Sequence, residues 1–517
     1  RFAQSRAFEL VALQATLKRT LDLSKSRAFQ KTPRYLRRRA ASHNPRKVPR
    51  RLRERAMREL ENDPVTPKKR KPKALRRKPR SDYLSRQVRN GTWLETHLWM
   101  AKRFHMRAMW GFKVALRPTQ KGARSMYRAA KYASVVHDAS YQSVYEFSGP
   151  QEHVAQLVQA VIDPAGPRVG AARYMAGKRS VSVEVFDVAC AATDTFGGSS
   201  TRAQLLGPAT ALWQPLANTA SSSSAMDTDN HQPTRTLWLW THPLIDERLL
   251  ASLAHIMDTR GITTVNVTQL TDLCKLTLVG PKSFGLVHST LKLAPTTSAD
   301  QQAQWRSLAG LTDPSTLPKG GVLAVDIWDP RLSYPPARPT YTRTSDQQQG
   351  AHATLLHMAS ATATAPESTL WNATSRLHAR QGKVRDHELH ARKHAQLVPG
   401  TRLQPNPDRD STIPLLLIAS ATGDGALDLV LPRGWSLPVW RTLVWAGARP
   451  AGLACMRSLA HEAGRAYFPW DYPTTSGYIG VVSHEADEQK QKWMSRPSGK
   501  RVNYEKLMVD APFMPQW

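Results

Sequence analysis

Short apolar runs separated by helical stretches dominate the chain from about residue 141 to residue 334. Five runs have the alternation and the β-branched or aromatic composition of strands, at 180–186, 236–240, 263–267, 275–279 and 322–326. Three intervening stretches have helical periodicity, at 152–162, 244–257 and 284–292. Strands interleaved with helices predict an α/β or α+β globular body.

A second apolar region begins near residue 397. Its runs at 413–418 and 427–431 predict buried strands, whereas 340–396 is mainly polar with one possible helix at 368–380. Residues 218–234 are rich in Ser, Thr and Asp, which predicts a disordered insertion. The predicted organisation is an arm at 1–88, an α/β domain at 89–339, a polar linker at 340–396 and a C-terminal domain with its tail at 397–517.

The first 110 residues combine helical periodicity with helix breakers. Helices are predicted at 2–23, after Pro33, at 50–61 and at 93–110, and a Pro- and Lys-rich stretch after residue 63 predicts an extended linker. Thr92 and Glu95 have the spacing of a capping box, and Gly111 suits the residue that follows a helix end. The arm is therefore predicted to be a series of short helices.

Charge is concentrated in the same part of the chain. Residues 1–131 contain 38 Lys and Arg against 8 Asp and Glu, which gives +30 of the total +33. A polyanionic partner would offset the self-repulsion, and nucleic acid, an anionic membrane and an acidic protein are the possibilities. No apolar run approaches the roughly 20 residues that span a bilayer, so no membrane partner is expected and nucleic acid is favoured.

Arginine outnumbers lysine in the arm, and its planar guanidinium suits bidentate phosphate contacts. Lys68 to Lys71 also have the composition of a nuclear-import signal, although a phosphate-binding linker explains them equally well. The candidate RNA-binding residues of the arm are Arg34, Arg37, Arg38, Arg39, His43, Asn44, Arg46, Lys47, Arg50, Arg51 and Arg53.

The predicted helix 93–110 has one apolar face, and a second face that interleaves tryptophan with cations. Stacking on unpaired bases combined with phosphate contact would use such a face, although packing under a second protein layer explains Trp99 as well. His97 and His105 lie on the apolar face, where a core histidine is the usual outcome. The candidate RNA-binding residues of the second face are Trp99, Lys102, Arg103 and Arg107.

Motifs for catalysis or metal binding are not found in the sequence. Cys190, Cys274 and Cys455 are widely spaced and odd in number, which favours neither a disulfide framework nor a zinc site. Asp326 and Asp329 follow a predicted strand, but Pro330 indicates an ordinary turn. We expect no catalytic residue, no metal site and no cofactor bound by the protein itself. Because the chain begins with Arg1 rather than Met, a preceding segment is expected.

Three sequence blocks resemble the "processing of precursor RNA" (POP) family, large protein subunits of nuclear ribonuclease P and ribonuclease MRP. The first block is PRYLRRRAASHNPRKVPRRL from Pro33, and the second is WLETHLWMAKRFHM from Trp93. The third comprises LPRGW from Leu431, GARPAGL from Gly447, FPWDYP from Phe468 and the tail from Arg496. The resemblance covers nearly the whole chain.

This resemblance implies a non-catalytic RNA-binding scaffold whose body resembles the glycine-cleavage aminomethyltransferase fold. Catalysis would belong to the RNA of ribonuclease P with its Mg²⁺, acting on precursor tRNA, and the MRP particle would process precursor rRNA. The implied partners are both RNAs and smaller protein subunits, and the implied location is the nucleus and nucleolus. A folate-type aminomethyltransferase and a protein-only RNA endonuclease are the alternatives.

Overall fold

The computed structural model describes residues 2–25, 27–32, 45–62, 92–100, 103–188, 204–216, 234–337, 339, 345–360, 365–396, 398 and 401–515. These residues form two compact units, Arg1–Ser85 and Arg86–Trp517. Each unit has its own packing and is described separately.

The smaller unit contains the helices Phe2–Ser5 and Ala7–Lys25, two 3₁₀ turns at Pro45–Lys47 and Arg50–Leu52, and the helix Arg53–Asn62. These confirm the helices predicted at 2–23 and 50–61. The helix predicted after Pro33 and the linker that begins at 64 lie outside the described residues.

The larger unit contains a six-stranded sheet in the order β10-β11-β12-β9-β3-β13. All neighbours are antiparallel except β13 and β3. Its strands are β3 (Val135–Asp138), β9 (Leu273–Val279), β10 (Val322–Trp328), β11 (Thr412–Ala419), β12 (Ala426–Pro432) and β13 (Arg449–Pro450). The apolar runs at 413–418 and 427–431 are confirmed as strands, and both are buried on both faces.

A five-stranded antiparallel sheet has the order β5-β6-β7-β4-β8. Its strands are β4 (Ser143–Pro150), β5 (Val181–Asp187), β6 (Gln204–Trp213), β7 (Thr234–Thr241) and β8 (Asn266–Leu270). The strands predicted at 180–186, 236–240, 275–279 and 322–326 are confirmed, and the one predicted at 263–267 is shifted towards β8. The predicted insertion at 218–234 lies outside the described residues, apart from Thr234, which begins β7.

The two sheets pack against each other, and helices cover their outer faces. Alternate side chains of β7 point to opposite faces of its sheet. Trp238 and Trp240 face the other sheet, whereas Leu237 and Leu239 face the helices. The mixed α/β class expected from the sequence is confirmed. The larger helices of this unit are Gln120–Tyr132, Gln151–Ala160, Asp246–Arg260, Ser283–Thr290, Ala299–Ser307, Ser345–Ala359, Ala373–Gln381, Asp386–His394, Ser436–Ala446, Leu453–Glu462 and Ser476–Met494.

The helix predicted at 93–110 is wrong. One helical turn at His97–Met100 is followed by a hairpin of β1 (Phe104–Met109) and β2 (Phe112–Pro118). Trp110 and Gly111 both have positive φ, at 55° and 78°, as in a two-residue type I′ turn. Because Gly111 accepts a positive φ, it is compatible with both a helix end and a hairpin turn. The pairing of β1 with β2 selects the hairpin.

Described residues of the predicted linker at 340–396 pack on the sheets. Trp371 stacks on Trp238 with ring centroids 3.8 Å apart, and the buried Arg376 donates to Asp272 at 2.6 Å. The predicted helix at 368–380 corresponds to a 3₁₀ turn, Thr369–Trp371, followed by the helix Ala373–Gln381. The boundary predicted at 397 falls between β10 and β11, which pair directly in one sheet.

The carboxylate of Glu95 joins the one-turn helix His97–Met100 to the C-terminal part of the chain. It accepts hydrogen bonds from the Gly434 backbone N–H and the Ser436 hydroxyl, both at 2.7 Å. These donors lie where the helix Ser436–Ala446 begins, so a negative charge is favourable there. The predicted capping role of Glu95 is therefore performed across 339 residues of sequence rather than within its own helix.

Replacing Glu95 with alanine is expected to lower the free energy of unfolding by about 1–3 kcal/mol, because the half-buried Gly434 N–H and the buried Ser436 hydroxyl lose a charged acceptor. Thermal unfolding followed by circular dichroism measures the effect. Glu505→Ala, which removes an exposed carboxylate, is the matched control. Equal melting temperatures for the two variants would contradict the capping role.

Candidate nucleic-acid interface

The cationic segment of the smaller unit is organised around a small apolar cluster. Ala28, Val48 and Ala56 are buried together. The Ala28 backbone N–H donates to both carboxylate oxygens of Glu59 at 3.0 Å, and Arg55 Nε donates to the same carboxylate at 3.0 Å. Glu59 thus connects residues 27–32 to the helix Arg53–Asn62. The Arg55 guanidinium forms an ion pair with the same carboxylate.

Four arginines that the sequence predicts as RNA-binding residues lie in this segment and face solvent. Arg46, Arg50, Arg51 and Arg53 are exposed, while Val48 and Ala56 of the same segment are buried. Lys47 lies in the 3₁₀ turn Pro45–Lys47. The predicted residues Arg34, Arg37, Arg38, Arg39, His43, Asn44 and Lys102 lie outside the described residues.

A second cationic and aromatic surface lies on the larger unit, and we call it the Trp99–Trp445 surface. It consists of Trp99, Tyr334, Lys393, Arg441 and Trp445. The Arg441 guanidinium carbon lies 5.9 Å from the Trp99 ring centroid and 4.9 Å from that of Tyr334. The Tyr334 and Trp445 rings meet edge to face at 5.3 Å, and the tryptophans are 49% and 62% exposed.

Two short elements hold this surface in place. Arg441 and Trp445 are one turn apart on the helix Ser436–Ala446, whose opposite side is buried in the core. Trp99 lies on the one-turn helix His97–Met100, in which His97 and Met100 are buried. The Glu95 carboxylate joins these two elements, so the two tryptophans are presented by one rigid assembly.

Lys393 adds a second cation beside Tyr334. Its ammonium group donates to the backbone carbonyls of Arg331 and Tyr334 at 3.1 and 3.3 Å. Burial lowers the pKa of Lys393, and the neighbouring Arg441 guanidinium lowers it further. Two adjacent cations beside exposed indole rings favour an anionic, planar ligand, and an RNA strand offers both phosphates and bases.

The structure separates the remaining residues of the predicted RNA-binding face. Arg103 is exposed at the start of the hairpin. Arg107 instead forms ion pairs with Glu485 at 2.7 Å and Glu488 at 3.0 Å, which fasten the hairpin to the helix Ser476–Met494. His97 is buried as expected, whereas His105 is exposed on β1, so its predicted core position is wrong.

Tyr334, Lys393, Arg441 and Trp445 were not predicted from the sequence. The spacing of Arg441 and Trp445, four residues apart on a helix, was the available signal. Tyr334 and Lys393 come from distant segments and give no such signal.

The carboxylates of Asp326 and Asp329, which the sequence suggested as a possible acidic pair, both accept hydrogen bonds from other side chains. Asp326 accepts from Thr296 at 2.8 Å, and Asp329 accepts from Arg331 at 2.6 Å. Among the described residues, no group of three or more His, Cys, Asp or Glu side chains could hold a metal ion. No helix in the described ranges is long and apolar enough to cross a membrane.

Two family models match this chain. The model of the "Ribonucleases P/MRP protein subunit POP1, N-terminal" region matches residues 2–82 and 68–150, and the "POPLD (NUC188) domain" matches residues 426–517. The first region contains Glu95 and Trp99, and the second contains the helix Ser436–Ala446. The chain belongs to the POP1 family of ribonuclease P/MRP protein subunits.

Relatives from several kingdoms carry the same family name. The human ribonucleases P/MRP protein subunit POP1 is 26% identical over the whole of this chain, which spans 59% of the human protein. The relative from Schizosaccharomyces pombe is 25% identical over the whole chain, which spans 76% of it. The Saccharomyces cerevisiae relative is 24% identical over 98% of the chain, which spans 66% of it.

These POP1 relatives give no support to the aminomethyltransferase or endonuclease alternatives. A solved structure of glycine cleavage system aminomethyltransferase T from Bartonella henselae matches 73% of the chain with 13% identity and a TM-score of 0.36. A TM-score of this size carries no argument about function.

Replacing Trp445 or Trp99 with alanine is expected to weaken RNA binding by about 1–3 kcal/mol each, because an exposed stacking surface is lost. Binding isotherms at fixed ionic strength, with melting temperatures measured in parallel, test this. Tyr132→Ala, at a residue that is 69% exposed outside this surface, is the control. A lower melting temperature with unchanged affinity would show that the tryptophans serve packing instead.

Proposed function

We propose that this chain is a non-catalytic, RNA-binding scaffold subunit of ribonuclease P and ribonuclease MRP. In this role the protein holds and braces a folded RNA, while the RNA and its Mg²⁺ perform the cleavage. The particles would remove the 5′ leader of precursor tRNA and process precursor rRNA. The protein itself would bind no cofactor.

The exposed arginines Arg46, Arg50, Arg51 and Arg53 are the observation that carries this proposal. They project from a segment in which Val48 and Ala56 are buried and the Glu59 carboxylate binds the Ala28 N–H, and their guanidinium groups lie on its exposed side. Exposed guanidinium groups in this density favour polyanion binding, and the Trp99–Trp445 surface adds the aromatic component that distinguishes unpaired bases from other polyanions.

The partners of the whole particle are part of the same proposal, since the chain spans 59% of its human relative. We propose that the chain binds the catalytic RNA of ribonuclease P and the RNA of ribonuclease MRP, and contacts smaller protein subunits. A nuclear location, including the nucleolus, follows from the substrates. The Mg²⁺ would be bound at the RNA active site.

Replacing Arg50, Arg51 and Arg53 together with alanine should lower RNA affinity and reduce the slope of log affinity against log salt by about 2, since three phosphate contacts release fewer counterions. The matched control replaces three exposed arginines of the other unit with alanine and so removes the same positive charge. These are Arg260, Arg306 and Arg409. Equal slopes for the two triple variants would remove the arm arginines from the interface.

Immunoprecipitation followed by sequencing of the bound RNA tests the particle assignment. One or two small structured RNAs are expected, accompanied by precursor-tRNA cleavage activity in Mg²⁺ that ribonuclease treatment abolishes. Recovery of mature ribosomal RNA or mRNA in their place would contradict the assignment. Cleavage by the purified protein without RNA would contradict the non-catalytic role.

A further inference from the structure

A cleft of about 630 Å³ opens beside the Glu95 carboxylate of the larger unit, and we call it the Trp93–Arg433 cleft. Its lining includes two aromatic residues, Trp93 and Phe112, two cations, Arg380 and Arg433, and residues of β4, β8 and β9. This volume is in the range of pockets that bind small organic ligands. The Trp99–Trp445 surface contributes no residue to the cleft.

The aromatic residues of the cleft, Trp93 and Phe112, belong to segments whose backbones are joined. The Lys113 N–H donates to the Thr92 carbonyl at 2.7 Å, so the neighbours of both aromatic residues are hydrogen-bonded to each other. The Lys113 ammonium group lies 4.9 Å from the Trp93 ring centroid. Trp93 and Phe112 are half-buried, which leaves part of each accessible. Accessible rings with a cation beside them favour a planar, anionic ligand.

The two arginines of the cleft come from different segments and lie close together. A Cβ added to Gly434, the residue after Arg433, would lie 3.8 Å from Arg380 Cγ. The Arg433 guanidinium donates to the Thr271 carbonyl at 3.0 Å, which orients it and leaves most of its five N–H donors for a ligand. Both arginines are exposed, and neither forms an ion pair with any residue that the structure describes. Guanidinium groups in this state favour a phosphate, which they can bind bidentately.

The carboxylate that lines the cleft is already compensated. Glu95 accepts hydrogen bonds from the Gly434 N–H and the Ser436 hydroxyl at the start of a helix, where negative charge is favourable. The same bonds bring the aromatic and cationic residues together, because Trp93 lies just before Glu95 in the chain and Arg433 directly precedes Gly434. An anionic ligand would therefore meet two cations without carboxylate partners and one carboxylate that is held by donors.

A neighbouring cavity of about 700 Å³, which shares lining residues with the cleft, has the opposite balance of charge. The carboxylates of Asp163 and Glu184 line it, and its cation, Arg465, is paired with Asp424. A phosphate there would meet two carboxylates and a guanidinium that is already compensated. The charges thus favour a phosphate in the Trp93–Arg433 cleft and disfavour it in the neighbouring cavity.

We propose that the Trp93–Arg433 cleft binds one unpaired nucleotide, with its phosphate at Arg380 and Arg433 and its base against Trp93 and Phe112. The nucleotide can belong to a single strand of RNA, which rests on the proposed RNA-binding function, or be a free nucleoside monophosphate, which does not. A base-paired nucleotide does not fit this role, because its faces are covered by its neighbours in the stack. Stacking is tolerant of base identity, so all four bases are expected to bind.

The helix Ser436–Ala446 connects the cleft to the Trp99–Trp445 surface. Ser436, its first residue, lines the cleft, and Trp445 is its last residue but one, so the two are separated by about 14 Å along the helix axis. At roughly 3.4 Å per stacked nucleotide, this distance corresponds to about four nucleotides. One RNA strand is long enough to contact both places, which favours RNA as the source of the nucleotide.

The affinity of the full chain for a short single-stranded RNA, and for the duplex that it forms with its complement, tests the cleft. Arg380→Ala/Arg433→Ala is expected to weaken single-strand binding about tenfold, since charged hydrogen bonds are lost, and duplex binding by less than about twofold. The matched control is Arg260→Ala/Arg306→Ala, which removes two exposed arginines outside the cleft.

The outcomes separate the cleft from the proposed function. Equal single-strand affinities of the two double variants, in a chain that still binds RNA, would show that RNA does not occupy the cleft. If the unaltered chain binds no RNA, the proposed function fails, and titration with a mononucleotide then decides whether the cleft binds a free nucleotide.

The variant Phe112→Leu tests the base contact, because it removes an aromatic ring and keeps an apolar side chain. Single-strand affinity should fall about fivefold or more, and duplex affinity should not change. Phe513→Leu, at a half-buried ring that packs on Tyr504 outside the cleft, is the control. Trp93→Leu tests the second ring and takes the place of Phe112→Leu if that variant does not fold. Equal single-strand affinities of the folded variants and the control would contradict the base contact.

Titration with uridine monophosphate identifies the source of the nucleotide. Saturable binding with a dissociation constant on the order of 10⁻⁴ M is expected, about tenfold weaker in Arg380→Ala/Arg433→Ala than in the control. Displacement by the single-stranded RNA assigns the cleft to RNA, whereas binding that depends on the two arginines and resists displacement assigns it to a free nucleotide. If the two double variants bind both the single strand and uridine monophosphate equally, the proposal is overturned.

Discussion

The ion-dipole contact between Glu95 and the start of the helix Ser436–Ala446 is the constraint on which the larger unit depends. It connects two regions that the family models match separately, one near residue 95 and the other near residue 435. The core below it is continuous, because β12 pairs with β9 and β9 pairs with β3. Two separately matched regions of the larger unit are thereby joined in one packed body.

The same contact determines where the exposed aromatic side chains lie. Trp99 follows Glu95 by one helical turn, and Arg441 and Trp445 belong to the helix that Glu95 caps. Stacking surfaces are useful for RNA binding when their positions are fixed before the RNA arrives, since less conformational entropy is then lost. The rigid body thus complements the basic segment of the smaller unit, in which exposed arginines provide charge rather than shape.

Much of the fold could be predicted because periodicity reports burial directly. The runs at 413–418 and 427–431 are apolar on both faces, and the strands they form are covered on both sides. The hairpin at residues 104–118 could not be predicted, since Gly111 suits a helix end and a type I′ turn equally. The energy of pairing β1 with β2 decided the outcome, and that pairing is not visible in a local pattern.

The candidate site was predicted in part for a related reason. Charge density is a local property, so the exposed arginines at 46–53 could be found from composition. Whether a charge faces solvent depends on distant residues: Arg107 is paired with Glu485, and Tyr334 meets Trp445 only in the folded chain. Sequence patterns identified the residue types that bind RNA, and tertiary contacts selected which of them are available.

Ultraviolet cross-linking of the RNA-bound chain, followed by mass spectrometry of the cross-linked peptides, tests the central claim most directly. Cross-links are expected in peptides containing Trp99 and Trp445 and in the arginine-rich segment at 46–53, with no enrichment at Arg107, which is paired with Glu485 and Glu488. Cross-links confined to other surfaces, with these peptides recovered unmodified, would contradict it.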